Sequence, residues 1–265
     1  MMKTSVVRRQ LSVAANGPCR LRRSTGNARP GSKLKLENWG GGPGEALGRY
    51  YGKLVGRLGP QGWWPARTRL EVILGAILTQ NTSWKNVQLA IRRLGNAGLL
   101  SLAALASGTR SEIEAAIRPA GFYRQKAQTI QTFMAWLGRS YQGSLNALFA
   151  RPPEELRQEL LAVRGFGPET VDAILLYAGR QPFFVADAYT RRILSRHGWV
   201  SEDAGYREVQ EFLHRHLPPD QGMFNEFHAL LVETGKRHCK RQAPCCEGCP
   251  LEEFLRPQRD LSLVV

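Results

Sequence analysis

Acidic residues are scarce in this chain: 22 Asp and Glu stand against 37 Lys and Arg in 265 residues, a formal net charge of +15. Such an excess repels itself unless a polyanion is the usual partner, so nucleic acid is the first candidate. Ribosomal and membrane-surface proteins show the same balance, and charge alone names no activity. Long apolar runs are missing too. Val72 to Leu78 falls well short of the roughly 20 residues that span a bilayer and lies in an amphipathic pattern. A soluble protein without a membrane partner is therefore expected. Cysteine is sparse, with five residues, of which Cys19 stands alone and four crowd between Cys239 and Cys249. That crowding has the spacing of a metal or cluster loop and not of a disulfide framework, which points to a reducing, intracellular compartment. Strand-type alternation is absent as well, which excludes an all-β or α/β core.

What is present is helical period. Leu70, Ile73, Leu74, Ile77 and Leu78 recur at three and four, as do Val87, Ile91 and Leu94, and then Ala127, Ile130, Phe133, Met134 and Leu137. The fold class is all-α, with 43% hydrophobic residues, enough for a real core in one large or two small domains. Ser111 with Glu114 reads as a capping box, and Pro152-Pro153 and Pro218-Pro219 mark breaks between helices. Residues 1–44 carry no acid before Glu37 and no period, so a disordered basic arm is expected there. An Arg- and Ser-rich start fits a mitochondrial transit peptide; an overextended start in a high-GC bacterial gene accounts for the same usage and is the preferred reading, which gives a cytoplasmic or nucleoid protein.

The most informative run is Leu160-Leu-Ala-Val-Arg-Gly165-Phe-Gly167-Pro-Glu-Thr170, where a helix ends, a G-x-G turn follows, and a new helix carries Val171, Ile174, Leu175 and Ala178 on one face. Glycine suits a backbone that turns at positive φ or approaches a phosphate, and Pro168 suits a first helical turn. N–H groups at such a helix start bind an anion without side-chain charge. Farther on, Phe184-Val185-Ala186-Asp187-Ala188-Tyr189-Thr190-Arg191 places one carboxylate ahead of another helix, which on its own reads as an N-cap.

Together these segments resemble the helix-hairpin-helix DNA glycosylases of the endonuclease III superfamily, and the resemblance extends over about residues 45–255. It implies a barrel of helices over 67–186 with the hairpin at 156–179, and a second domain assembled from 45–66 and 187–265 that includes a cysteine-rich loop at 239–249. Duplex DNA carrying a damaged base would lie in the cleft between them, bound by a monomer. Asp187 takes the role of the catalytic carboxylate. Gln80 takes that of the residue filling the gap left by a flipped nucleotide, Phe122 that of the wedge in the base stack, and Gly165, Gly167 and Thr170 the hairpin contact with the backbone. A base inside a duplex is unreachable until it is extruded, so the chemistry needs filler, wedge and carboxylate together. Glu169 stands where bifunctional members carry the lysine that forms a Schiff base. A carboxylate cannot do so, which implies a monofunctional, water-using enzyme.

Trp63, Trp64, Pro65 and Trp84 resemble the base pocket of the 3-methyladenine DNA glycosylase III branch more than that of endonuclease III, and imply an alkylated purine as the excised base. The Trp pair is equally read as packing for the next helix. Oxidised or mismatched pyrimidines are the alternative substrate, and non-catalytic binding of damaged DNA is the alternative of another class. Cys239, Cys246 and Cys249 match three of the four ligands of the family's [4Fe–4S] cluster, while the fourth position holds Leu255. Cys245 is a spare thiol, and zinc with His238 or a metal-free loop are the other readings. Lys236, Arg237, Lys240 and Arg241 are placed against phosphates by the same resemblance.

Overall fold

In a computed structural model of the chain, residues 42–255 are described, and every helix or strand assigned among them is a helix. Residues 1–41 of the expected arm, with Cys19, and the last ten residues lie outside the described residues, while Pro43 and Gly44, expected in the arm, already belong to the first helix. The helices are α1 (Pro43–Leu58), α2 (Arg69–Leu78), α3 (Trp84–Asn96), α4 (Leu102–Ser107), α5 (Arg110–Ile117) and α6 (Tyr123–Tyr141). They continue with α7 (Leu145–Phe149), α8 (Pro153–Leu161), α9 (Pro168–Ala173), α10 (Ala188–Arg196), α11 (Tyr206–His216) and α12 (Gln221–Arg237). No helix among the described residues is long and apolar enough to cross a membrane.

α2 forms the centre because it has almost no polar face. Leu70 and every residue from Val72 to Leu78 are buried, and Ile73, Leu74, Ile77 and Leu78 are at most 1% exposed. Each such side chain contributes on the order of 1.5–3 kcal/mol. α3, α6 and α9 pack around it. The two ends of the described chain meet elsewhere: α1 lies against α11 and α12, and α10 against α12. Polar ties reinforce this, for the Tyr50 hydroxyl bonds His197 Nδ1 at 2.7 Å and accepts Trp199 Nε1–H at 3.0 Å.

The breaks fall where proline puts them. Pro153 is the first residue of α8, and Pro218-Pro219 separates α11 from α12, whose cap Asp220 accepts the Met223 N–H at 2.6 Å. The capping box is displaced from the expected pair. It is Thr109 with Glu112, while Glu114 pairs with Arg110 at 2.7 Å. The spacing for a box occurs twice, two residues apart, and with α4 closed by Gly108 the chain takes the earlier cap.

The hairpin runs from α8 through a short turn into α9, which continues as a wider π turn over Ile174–Ala178. Val171, Ile174, Leu175 and Ala178 are buried as expected. Gly165 has φ +97°, and a Cβ there would stand 2.4 Å from Thr129 Oγ1, so both conformation and space demand glycine. Gly167 differs from expectation: its φ is −100°, and nothing lies within 4 Å of where a Cβ would be. Its own backbone does not need glycine, which leaves access to the helix start as what the missing side chain provides. Behind the turn, fully buried Asp172 accepts from Arg157 Nε at 2.7 Å, the Tyr206 hydroxyl at 2.8 Å and Gln210 Nε2 at 2.7 Å. Gln210 also donates to the Phe184 carbonyl at 2.7 Å, so one buried network fastens the hairpin to the strand-like segment that ends at Asp187.

Candidate active site

The end of α2, the hairpin helix, the start of α10 and the middle of α12 enclose a cavity of ≈ 520 Å³. Asp187 faces it from the N-cap of α10, where Oδ1 accepts the Thr190 N–H at 2.8 Å. The N-cap and the candidate catalytic roles therefore fall on the same carboxylate, one oxygen apiece. Oδ2 stands 3.7 Å from Nε2 of His228, inside ion-pair range and beyond hydrogen-bond length. Burial raises the Asp187 carboxyl, but His228 and the Thr190 N–H together outweigh it and hold the group below its ordinary value.

Glu169, the second residue of α9, lines the same cavity. Its side chain reaches solvent, yet it stands in a concave wall, and crowding by protein together with the Asp187 charge raises its carboxyl. Two carboxylates thus have opposed tendencies in one cavity. The cavity also contains Lys236 and Glu233 from α12, neither of which the sequence places there.

The apolar wall is aromatic. Trp63 and Trp84 rings are 4.7 Å apart, Trp64 and Trp84 5.2 Å, and Trp64 and Tyr177 5.0 Å. Gly75 of α2 makes this possible, because a Cβ there would lie 2.8 Å from the Trp64 indole. Pro65 is not part of the wall. It lines a second hollow behind Trp64 and Trp84, because the chain turns away from the cavity at that residue.

Gln80 and Thr170 meet at the cavity rim, where Gln80 Nε2 donates to Thr170 Oγ1 at 2.9 Å. Phe122 is 63% exposed, large and apolar, with φ 45° at the cap of α6. Lys126 does not line the cavity. It is buried, and Nζ donates to the carbonyls of Leu78 and Ala120 at 2.8 Å each. Tyr177 and His228 join the cavity without any signal local to Asp187; the first lies on the buried face of the hairpin helix and the second in the helix leading to the cysteines.

Cys239, Cys245, Cys246 and Cys249 border one small cavity of ≈ 60 Å³ with His238. His238 is 2% exposed, and neither ring nitrogen has a hydrogen-bond partner. Among the described residues no three of Cys, His, Asp or Glu stand close enough to hold a metal ion, and Leu255 supplies no fourth thiolate. The residues as placed do not fit a four-cysteine cluster. The loop is instead gripped by arginines of α10: Arg192 Nε donates to the Cys239 carbonyl at 2.6 Å, and Arg196 to the Lys240 carbonyl at 2.7 Å and the Arg241 carbonyl at 2.9 Å.

Comparison with known proteins agrees with this geometry. The family model of the HhH-GPD superfamily of base excision DNA repair proteins matches residues 74–219. MJ1434 of Methanocaldococcus jannaschii, provisionally named a DNA repair glycosylase, is 42% identical over 79% of this chain and 96% of its own length. Endonuclease III of Thermotoga maritima is 31% identical over 70% of this chain and 83% of its own. The crystal structure of the 3-methyladenine DNA glycosylase MagIII of H. pylori bound to 1,N6-ethenoadenine superposes with a TM-score of 0.64 at 28% identity, covering 72% of this chain and 96% of that one. The chain belongs to the HhH-GPD superfamily and is an endonuclease III-like DNA glycosylase of base excision repair.

Proposed function

We propose that this glycosylase is monofunctional and removes an alkylated purine such as 3-methyladenine from duplex DNA by hydrolysis. The observation that carries the reading is the composition of the cavity: an aromatic wall of Trp63, Trp64 and Trp84 faces Asp187, with Glu169 at the hairpin position where a Schiff-base lysine would stand. An N3-alkylated purine bears positive charge, so it is drawn to electron-rich ring faces and departs without being protonated. The remaining barrier lies in the positive charge that builds on the sugar as the glycosidic bond lengthens. Asp187 faces that charge as a carboxylate and orients the attacking water.

The surroundings support extrusion of the base. Phe122 is positioned to wedge the stack, Gln80 to fill the gap once it leaves Thr170, and the hairpin N–H groups beside Gly165 and Gly167 to take a phosphate. The DNA is placed between the body holding 67–186 and the body formed by 45–66 with 187–265, and one copy of the chain suffices. A [4Fe–4S] cluster is no part of this proposal, since its fourth ligand position is Leu255. The test is base release from a panel of duplexes containing 3-methyladenine, ethenoadenine and thymine glycol, read before and after alkali. Release of alkylated purine with strand breaks only after alkali is expected. Release from thymine glycol alone would favour oxidised pyrimidines, and binding without release from any lesion would identify a damage sensor.

A further inference from the structure

We propose that His228 is a positioning residue for Asp187: the Tyr177 hydroxyl selects the ring tautomer that carries its proton on Nε2, aimed at Oδ2 of the carboxylate. This rests on the catalytic reading of Asp187. Tyr177 bonds His228 Nδ1, while Nε2 faces Asp187 at 3.7 Å and is buried without a hydrogen-bond partner. The phenol keeps its proton, because burial and then the Asp187 and Glu226 charges push it well above its ordinary value. A neutral imidazole accepting that proton at Nδ1 must carry its own on Nε2. The opposite tautomer would turn a lone pair toward a carboxylate, and a protonated ring would present N–H there as well. Nε2 is thus a donor toward Asp187 in every favourable state.

The ring has no freedom to serve elsewhere. Phe184 packs edge-on against it with ring centres 6.4 Å apart, and His228 is 7% exposed. Unlike buried Asp172, Gln210 and Lys126, whose polar atoms are hydrogen-bonded within the fold, the Nε2 donor has only the nearby carboxylate to offset its burial. Asp187 Oδ1 is committed to Thr190, so Oδ2 is the oxygen left for sugar and water, and its direction depends on His228. Other titratable groups line the same cavity. Glu169 and Tyr177 face it from the hairpin helix, Tyr189 from α10, and Glu233 and Lys236 from α12. Glu169 opposes a second charge nearby, and His228 offsets that opposition.

Single-turnover base release against pH, with His228→Leu, His228→Gln and Asp187→Asn, tests this on a methylated duplex. Removing the donor raises the Asp187 carboxyl, so the acid limb of the His228→Leu profile is expected to move up by about one pH unit, the scale of a favourable polar group held within about 4 Å of a buried carboxylate. The neutral-pH rate should fall on the order of tenfold from loss of aim. His228→Gln, whose amide reaches about where Nε2 stands, should return the limb toward wild type. Affinity for a duplex with a stable abasic analogue should be unchanged in both. If Asp187→Asn is inactive while folded His228→Leu keeps the wild-type limb and rate, the proposal is overturned and the reading of Asp187 survives. Release by Asp187→Asn at the wild-type rate overturns both.

Discussion

Replacing Asp172 by alanine should unfold this protein more readily than any surface change, by an amount set by what it strands. The carboxylate has no exposure and receives Arg157 through Nε at 2.7 Å and Nη2 at 3.1 Å, together with Tyr206 and Gln210. The Arg157 side chain is only 18% exposed, so deletion of its partner leaves a guanidinium that water scarcely reaches. Breaking one side of a buried pair costs about 3–5 kcal/mol. For a chain of this size each kcal/mol is about 2–4 °C of Tm, so a fall of roughly 6–20 °C is expected in circular dichroism melts. The double variant Asp172→Leu, Arg157→Met should recover most of it, because an apolar pair strands no charge between α8 and α9, and buried Gln210 keeps its bond to the Phe184 carbonyl. A loss below about 1 kcal/mol for Asp172→Ala, or a double variant as unstable as the single, would refute the reasoning. Base release should fall as well, since Gln210 ties Asp172 to the Phe184 carbonyl ahead of Asp187.

Borohydride should trap no covalent adduct with abasic DNA, because Glu169 replaces the hairpin lysine; an adduct that disappears in Lys236→Ala would show that the cavity's lysine has taken over that role. Burial pushes the Lys126 ammonium down to about 8, against about 10.4 in an unfolded chain. Between these values the folded state binds fewer protons than the unfolded, so stability to urea should rise as pH climbs from 8 to 10. That slope should be smaller in Lys126→Met, and equal slopes would contradict the assignment. Purified protein should lack the broad absorbance near 400 nm of a [4Fe–4S] cluster, and chelators should leave Tm unchanged because Arg192 and Arg196 hold the loop; stoichiometric iron would overturn this.

The helices and the hairpin were legible because they are written locally. Apolar residues recur at three and four through α2 and α6, and the turn from Gly165 to Pro168 announces itself by residue type. Asp187 was legible for the same reason, since it heads a helix within a short recognisable segment. His228, Tyr177 and Lys236 were not, because no spacing near Asp187 marks them; they arrive through the packing of α12 and the hairpin helix around one cavity. Pro65 looked inseparable from the Trp pair in sequence, but a turn of one residue sends it to the far side of the wall. The capping box shows the same limit at smaller scale, where two overlapping matches compete and the termination of α4 decides. Gly167 shows it again, because residue type alone does not distinguish a glycine needed for its φ from one whose missing side chain leaves a helix start accessible. The cysteine spacing supplies three ligands of a cube and leaves the fourth position to Leu255, so spacing by itself does not complete the set.

Lys126 ties together two parts of the molecule that sequence treats as strangers. Its ammonium holds the carbonyl of Leu78, two residues ahead of Gln80, and that of Ala120, two residues ahead of Phe122. Under the proposed roles of Gln80 and Phe122, filler and wedge are two tines mounted on one rivet. A duplex pressed against this surface would then be interrogated at both points in a single stroke, with undamaged pairs resisting both tines together. Discrimination between intact and weakened base pairs would then begin with the stiffness of a carbonyl-bound ammonium, before any base reaches the aromatic wall.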